Sequence, residues 1–237
     1  MKKRVLSIAL AVALIAIAVS GTLAYFADDD EVNNTFTLGS IEIEIYENGA
    51  ATPDAEQPLG TLIPVVKNPP SADDNYKKKI VEVKNTGLSS AFIRVHIAIP
   101  SELVNYLQLE WDTTGWTRLE STEGSYKGVN YTVYSFDFNS AVESGKFTGK
   151  LLKGVYLGSD VDLKQDDDGN LIFVRKEGGK IIHESTFVAH TQNANGTYTS
   201  ADVNILVAAQ AIQTRGVADN ATDALNTGFG TNTNPWQ

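Results

Sequence analysis

Ile41, Ile43 and Ile45 alternate with Glu42 and Glu44. A two-residue apolar period gives a strand one dry face and one wet face, and no helix uses it, because a helix repeats its apolar side every three to four residues. The period returns at Lys79–Lys84 through Ile80, Val81 and Val83. Ala91–Ile99 and the aromatic, β-branched run Tyr131–Phe138 have the composition that strands favour. Gln108–Trp111, Trp116–Leu119, Leu151–Leu157, Asp160–Gln165, Leu171–Arg175 and Lys180–His190 read as further strands. Val203–Ile212 is apolar on both parities, as a central strand is. Turns are marked by Asn48-Gly49, Asn85-Thr86-Gly87 and Asp168-Gly169. The second of these predicts a hairpin joining Lys79–Lys84 to Ala91–Ile99.

Residues 50–75 carry Pro53, Pro58, Pro64, Pro69 and Pro70 and read as a long loop with a short strand at Leu62–Val66. Two helical pieces are expected. One is a turn from Pro100 to Leu107 with Ser101 as its N-cap. The other is a short helix capped by Asn220 that ends at Leu225 or Asn226, before Gly228. The fold class is therefore all-β: an antiparallel, jelly-roll-like β-sandwich with one or two short helices. Residues 36–237 are expected to form a single domain.

The N-terminus has a different character. Lys2-Lys3-Arg4 precede an apolar run from Val5 to Val19 that only Ser7 interrupts. A positive start, a short apolar stretch and small residues at a cut site make a secretory signal peptide. The run falls short of the roughly 20 apolar residues that span a bilayer. Residues 1–24 are read as this signal, cut between Ala24 and Tyr25 with Thr22 at −3 and Ala24 at −1. The mature chain is then secreted, and it meets the membrane only before the cut. The C-terminal Asn-Thr-Asn-Pro-Trp-Gln carries no apolar tail and no sorting motif, so no second anchor is expected.

Charge and composition narrow the function. The formal net charge is −10, and loss of Lys2, Lys3 and Arg4 makes it more negative. Such a surface repels nucleic acid and anionic headgroups. There is no cysteine, and Met1 is the only methionine, so the core must do without disulfides.

Catalytic signatures are missing. The histidines are His96, His183 and His190, and no His-Glu-x-x-His motif stands among them. His183 and His190, seven apart, fall on opposite faces of an unbroken strand. Asp166 and Asp168 form a weak calcium candidate, but an EF-hand register set on Gly169 puts Lys164 and Arg175 where ligands belong. The Asp-Gly hairpin turn accounts for the same residues. No nucleophile elbow and no phosphate-binding glycine loop is present. No cofactor and no catalytic residue is expected.

The junction is more specific than an ordinary signal peptide. Gly21-Thr22-Leu23-Ala24-Tyr25-Phe26, followed by Thr35-Phe36-Thr37-Leu38-Gly39-Ser40-Ile41-Glu42-Ile43, resembles the N-terminus of the TasA/camelysin (CalY) family of Gram-positive bacteria. Val81–Gly87 and Val207–Gln213 look like later core strands of that family; the centre of the chain does not match. The resemblance implies cleavage by a SipW-type signal peptidase, a jelly-roll-like sandwich, and assembly into biofilm matrix fibres. In such fibres the freed N-terminal segment of one subunit completes the sheet of the next. Residues 25–35 would be that assembly segment, with Tyr25, Phe26, Val32 and Phe36 filling a neighbour's pockets. Partners would be further copies of the chain, the signal peptidase, and other matrix or anchoring proteins. The alternatives are a camelysin-like surface metalloprotease, whose zinc motif is not recognisable here, and a monomeric adhesin or binding sandwich.

Overall fold

Two antiparallel sheets face each other across one apolar core, and a third sheet extends from them. The computed structural model describes residues 27–30, 41–52, 56–231 and 234–236. The signal peptide, the cut at Ala24–Tyr25, and Phe26, Val32 and Phe36 lie outside these residues.

The first sheet contains β1 (Ala27–Asp30), β4 (Glu56–Pro58), β6 (Ala91–Pro100), β8 (Trp116–Arg118), β9 (Thr122–Tyr126), β10 (Val129–Phe138) and β16 (Asn204–Gln213). Its order is β1-β16-β6-β10-β8, with β4 also on β16 and β9 also on β10. The second has the order β3-β2-β5-β11-β7, from β2 (Ile43–Glu47), β3 (Ala50–Ala51), β5 (Lys77–Asn85), β7 (Leu107–Trp111) and β11 (Leu152–Leu157). The third runs β12 (Val161–Gln165), β13 (Leu171–Glu177), β14 (Lys180–Gln192), β15 (Tyr198–Ser200). The pairing within all three sheets is antiparallel.

The alternation in the sequence sets the core. Ile43, Ile45, Val81 and Val83 of the second sheet meet Ile93, Val95, Ile97, Phe136, Ile205 and Val207 of the first. β6 and β16 are buried along almost their whole length. Their inward parity enters this core, and their outward parity lies under the C-terminal segment. Helix α1 (Ala221–Phe229) covers Phe92 and Ile212 through Ala221, Ala224 and Leu225. Trp236 covers Ala98, Tyr131, Val133, Leu206 and Ala208.

Between these two patches lies a polar row. Arg94 is fully buried and donates from Nε to Asp137 Oδ1 (2.6 Å) and from Nη2 to Asp137 Oδ2 (3.1 Å). The same guanidinium donates to Asn226 Oδ1 (2.8 Å) and to the Gly230 carbonyl (3.3 Å), tying α1 to the sheet.

Several local expectations are corrected. Lys79–Lys84 and Ala91–Ile99 do not form a hairpin: β5 and β6 belong to opposite sheets. The Asn85 amide donates to the Ser89 and Val142 carbonyls and its oxygen accepts from Gly87 N, so the chain arches across the sandwich. Leu62–Val66 is not a strand; it makes one bridge, Pro64 to Leu157. Ser101 caps no helix. Its hydroxyl binds Glu123 and Thr132, and only a 3₁₀ turn, Ser101–Leu103, follows Pro100. α1 is capped by Asn220, whose side chain accepts from Asp223 N (2.9 Å). It runs on through Gly228, which lies against Ile212, where a Cβ would come within 2.7 Å of Cδ1. It ends at Gly230, φ 78°, a left-handed stop that suits glycine.

Candidate assembly edge

β16 has a neighbour on each side. β6 occupies one. On the other, two short strands share the edge. β4 pairs with Asn204–Leu206, and β1 pairs with Ala209–Ile212. The register of β1 is Ala27 to Ile212, Asp28 to Ala211, Asp29 to Gln210 and Asp30 to Ala209.

This geometry follows from the sequence. β16 is apolar on both parities because it lies inside the first sheet, with the core on one face and the C-terminal segment on the other. A strand so placed presents N–H and C=O groups on two sides, and neither side can be left unpaired in an apolar setting. The second side is completed by two short pieces, and the one against Ala209–Ile212 is only four residues long, taken from the segment predicted to begin the mature chain. An edge closed by so short a strand is held by few hydrogen bonds, each worth about 0.5–1.5 kcal/mol net.

The other candidate groups are placed away from any common centre. His96 is buried between Ser135 Oγ (2.8 Å) and Gln210 Oε1 (3.1 Å), on the outward face of the first sheet. His190 Nδ1 bonds Ser200 Oγ (3.0 Å), and His183 sits opposite Arg175 in β13. No group of three or more histidine, aspartate or glutamate side chains able to hold a metal occurs among the described residues.

Asp166 serves its own hairpin turn. Oδ1 accepts from Asp168 N (3.0 Å) and Asn170 N (2.8 Å), and Gly169 takes φ 87°. Asp166 Oδ2 also accepts from Asn170 Nδ2 (3.3 Å), so both oxygens of this carboxylate are engaged within the turn.

An open cleft of about 450 Å³ is lined by Lys67, Gln108, Tyr156, Asp160 and Arg175 among others. Arg175 is paired with Asp160, so the charge it offers a ligand is already matched.

Sequence reasoning missed a buried ion pair at one end of the core. Lys79 Nζ donates to Glu47 Oε2 (2.6 Å), with both side chains more than nine-tenths buried. Removal from water pushes the Glu47 carboxyl up and the Lys79 ammonium down, each partly opposed by the other's charge. The charged residues at Glu47 and Lys79 gave a signal only as exceptions to the apolar parity of β2 and β5.

Comparison with known proteins touches the same end of the chain as the edge strand. Residues 1–52 match the model of the camelysin metallo-endopeptidase family. Over this stretch the chain is camelysin-like. The match covers the junction and β2, and so bears out the resemblance drawn from Gly21–Phe26 and Thr35–Ile43. No curated protein and no solved structure matches the chain. The family's title implies a catalytic metal. The described residues do not fit one: His96 is enclosed by Ser135 and Gln210, His183 and His190 stand opposite Arg175 and Leu171 at separate points of β14, and no group of three possible ligands forms among the described residues.

Proposed function

We propose that this chain is an exported structural subunit whose N-terminal strand passes from its own β16 edge to that of a neighbour, building extracellular fibres. The observation that carries the reading is the place of β1. The residues just after the expected cut lie as an edge strand against Ala209–Ile212.

Exchange between subunits conserves every hydrogen bond of that pairing. Its equilibrium is then set by concentration and by the linker between β1 and β2 rather than by new contacts. Each subunit gives a strand at one place and receives one at another. Such a contact is heterologous and grows into an open filament when the rotation does not close. Before cleavage the donor segment is joined to the membrane-engaged signal. The cut by a SipW-type peptidase at Ala24–Tyr25 would free Tyr25–Thr35 for exchange, with Tyr25, Phe26, Val32 and Phe36 as anchoring side chains.

The register supplies a direct test. The chain has no cysteine, so Ala27→Cys with Ile212→Cys introduces the only thiols. Under oxidation, exchanged strands give a ladder of covalent oligomers on a non-reducing gel, with single-variant controls monomeric. A concentrated sample that yields only internally bridged monomer would refute the exchange.

The family title favours one second reading, a surface metallo-endopeptidase. It requires chelator-sensitive proteolysis by the pure mature protein that is lost in His183→Ala or His190→Ala.

A further inference from the structure

We propose that Lys79 and Glu47 condense to an amide, a covalent cross-link between neighbouring strands of the second sheet. Glu47 ends β2 and pairs with Val81 of β5; Lys79 stands two residues before Val81. Both side chains therefore project to the face that carries Ile45, Val81 and Val83, and they meet there at 2.6 Å between Nζ and Oε2. Their side chains are 5% and 8% exposed, and Glu47 Oε1 is buried with no hydrogen-bond partner.

As an ion pair this site is poorly served. An ammonium has three donors and a carboxylate has room for about four acceptor bonds. Among the described residues Lys79 Nζ makes one bond and Glu47 Oε1 makes none. Taking two charges from water carries a large desolvation cost, and one contact offsets it only with further hydrogen bonds. Burial drives both groups toward their neutral forms. A neutral amine beside a neutral carboxylic acid is the reactive combination, because an ammonium has no lone pair and a carboxylate resists attack.

The step balances without an oxidant or a co-reactant. The Nζ lone pair attacks Cδ of Glu47 and forms the N–C bond. One N–H proton passes to the hydroxyl oxygen of the acid, the C–O bond breaks, and one water leaves. Oε2 holds the amine in place, and the unpartnered Oε1 is the oxygen lost. Holding the two groups in contact supplies the effective concentration that free amine and acid lack. The product is a neutral amide, which ends the desolvation cost. It closes residues 47–79 into a loop and would stabilise the fold as a disulfide does, by restricting the unfolded chain. β2 is the strand that follows the N-terminal segment, so the cross-link fastens that end of the chain to β5.

The experiment is intact-mass spectrometry of the folded, purified mature protein. The expected mass lies about 18 Da, one water, below that of the linear sequence, and proteolysis yields one branched peptide joining Glu47 to Lys79. Lys79→Arg restores the full mass of its own linear sequence. Glu47→Gln closes the same amide with loss of ammonia in place of water. The full linear mass for the unaltered protein, with separate Glu47 and Lys79 peptides, overturns the proposal. That result would leave the strand-exchange reading untouched, since it does not depend on the amide.

Discussion

Replacing Asp137 by alanine tests how the C-terminal segment is held on the first sheet. Arg94 and Asp137 are both fully buried. The carboxylate takes two of the guanidinium's hydrogen bonds, at 2.6 and 3.1 Å, and Asn226 and the Gly230 carbonyl take the others. Asp137→Ala leaves a guanidinium in the interior facing only neutral acceptors. Breaking a buried pair from one side costs about 3–5 kcal/mol. For a domain of this size each kcal/mol lowers Tm by roughly 2–4 °C, so the fall should be about 6–20 °C. Urea unfolding followed by circular dichroism, with thermal melts beside it, measures both figures. Arg94→Met combined with Asp137→Leu removes the charge with its partner and should lose much less than the single change. A loss below about 1 kcal/mol for Asp137→Ala, or a double variant as weak as the sum of both singles, would refute the reasoning.

Three further outcomes follow from single sites. Gly154→Ala puts a Cβ within 2.2 Å of the Tyr76 ring, whose hydroxyl donates to Glu110 (2.9 Å); overpacking should cost about 1–3 kcal/mol in urea unfolding. Asn220→Ala removes the cap of α1 and should cost about 1 kcal/mol, whereas Asn220→Ser should recover most of it. Asp73 accepts from the backbone N–H of Asn75, Val66 and Lys67, which hold its carboxyl below the ordinary carboxylate range. A depressed folded value means that its stabilisation is present above the unfolded pKa of about 3.9 and is lost as pH falls through the folded one. Asp73→Asn should therefore be less stable than the parent at pH 7, with the gap closing below about pH 4; a gap unchanged down to pH 3 would refute this.

The strands were legible because their sides differ. Ile41, Ile43 and Ile45 against Glu42 and Glu44 announced β2 and its core face, and the two-sided apolarity of Val203–Ile212 announced an interior strand. Pairing was less legible. Asn85-Thr86-Gly87 has hairpin composition, yet Asn85 spends its amide on Ser89 and Val142 and turns the chain across the sandwich. β9, with Gly124 and Ser125 among its five residues, lacks β-branched density and takes its pairing from β10. The hidden face of the first sheet was also out of reach, because it depends on a C-terminal helix and Trp236 folding back over residues as distant in the chain as Phe92 and Ala98. Of the proposed assembly segment, the sequence marked Tyr25–Thr35 as special, but only the fold names Ala209–Ile212 as the edge that Ala27–Asp30 meets.

The central claim is that the segment freed by the cut builds filaments. Its most direct measurement is negative-stain microscopy of exported protein whose N-terminus has been sequenced, beside the same protein lacking Tyr25–Thr35. The account predicts a mature chain starting at Tyr25 that forms filaments, and a truncated chain that stays monomeric. Filaments of equal yield from the truncated chain, or lasting monomers from the intact one at high concentration, would contradict it.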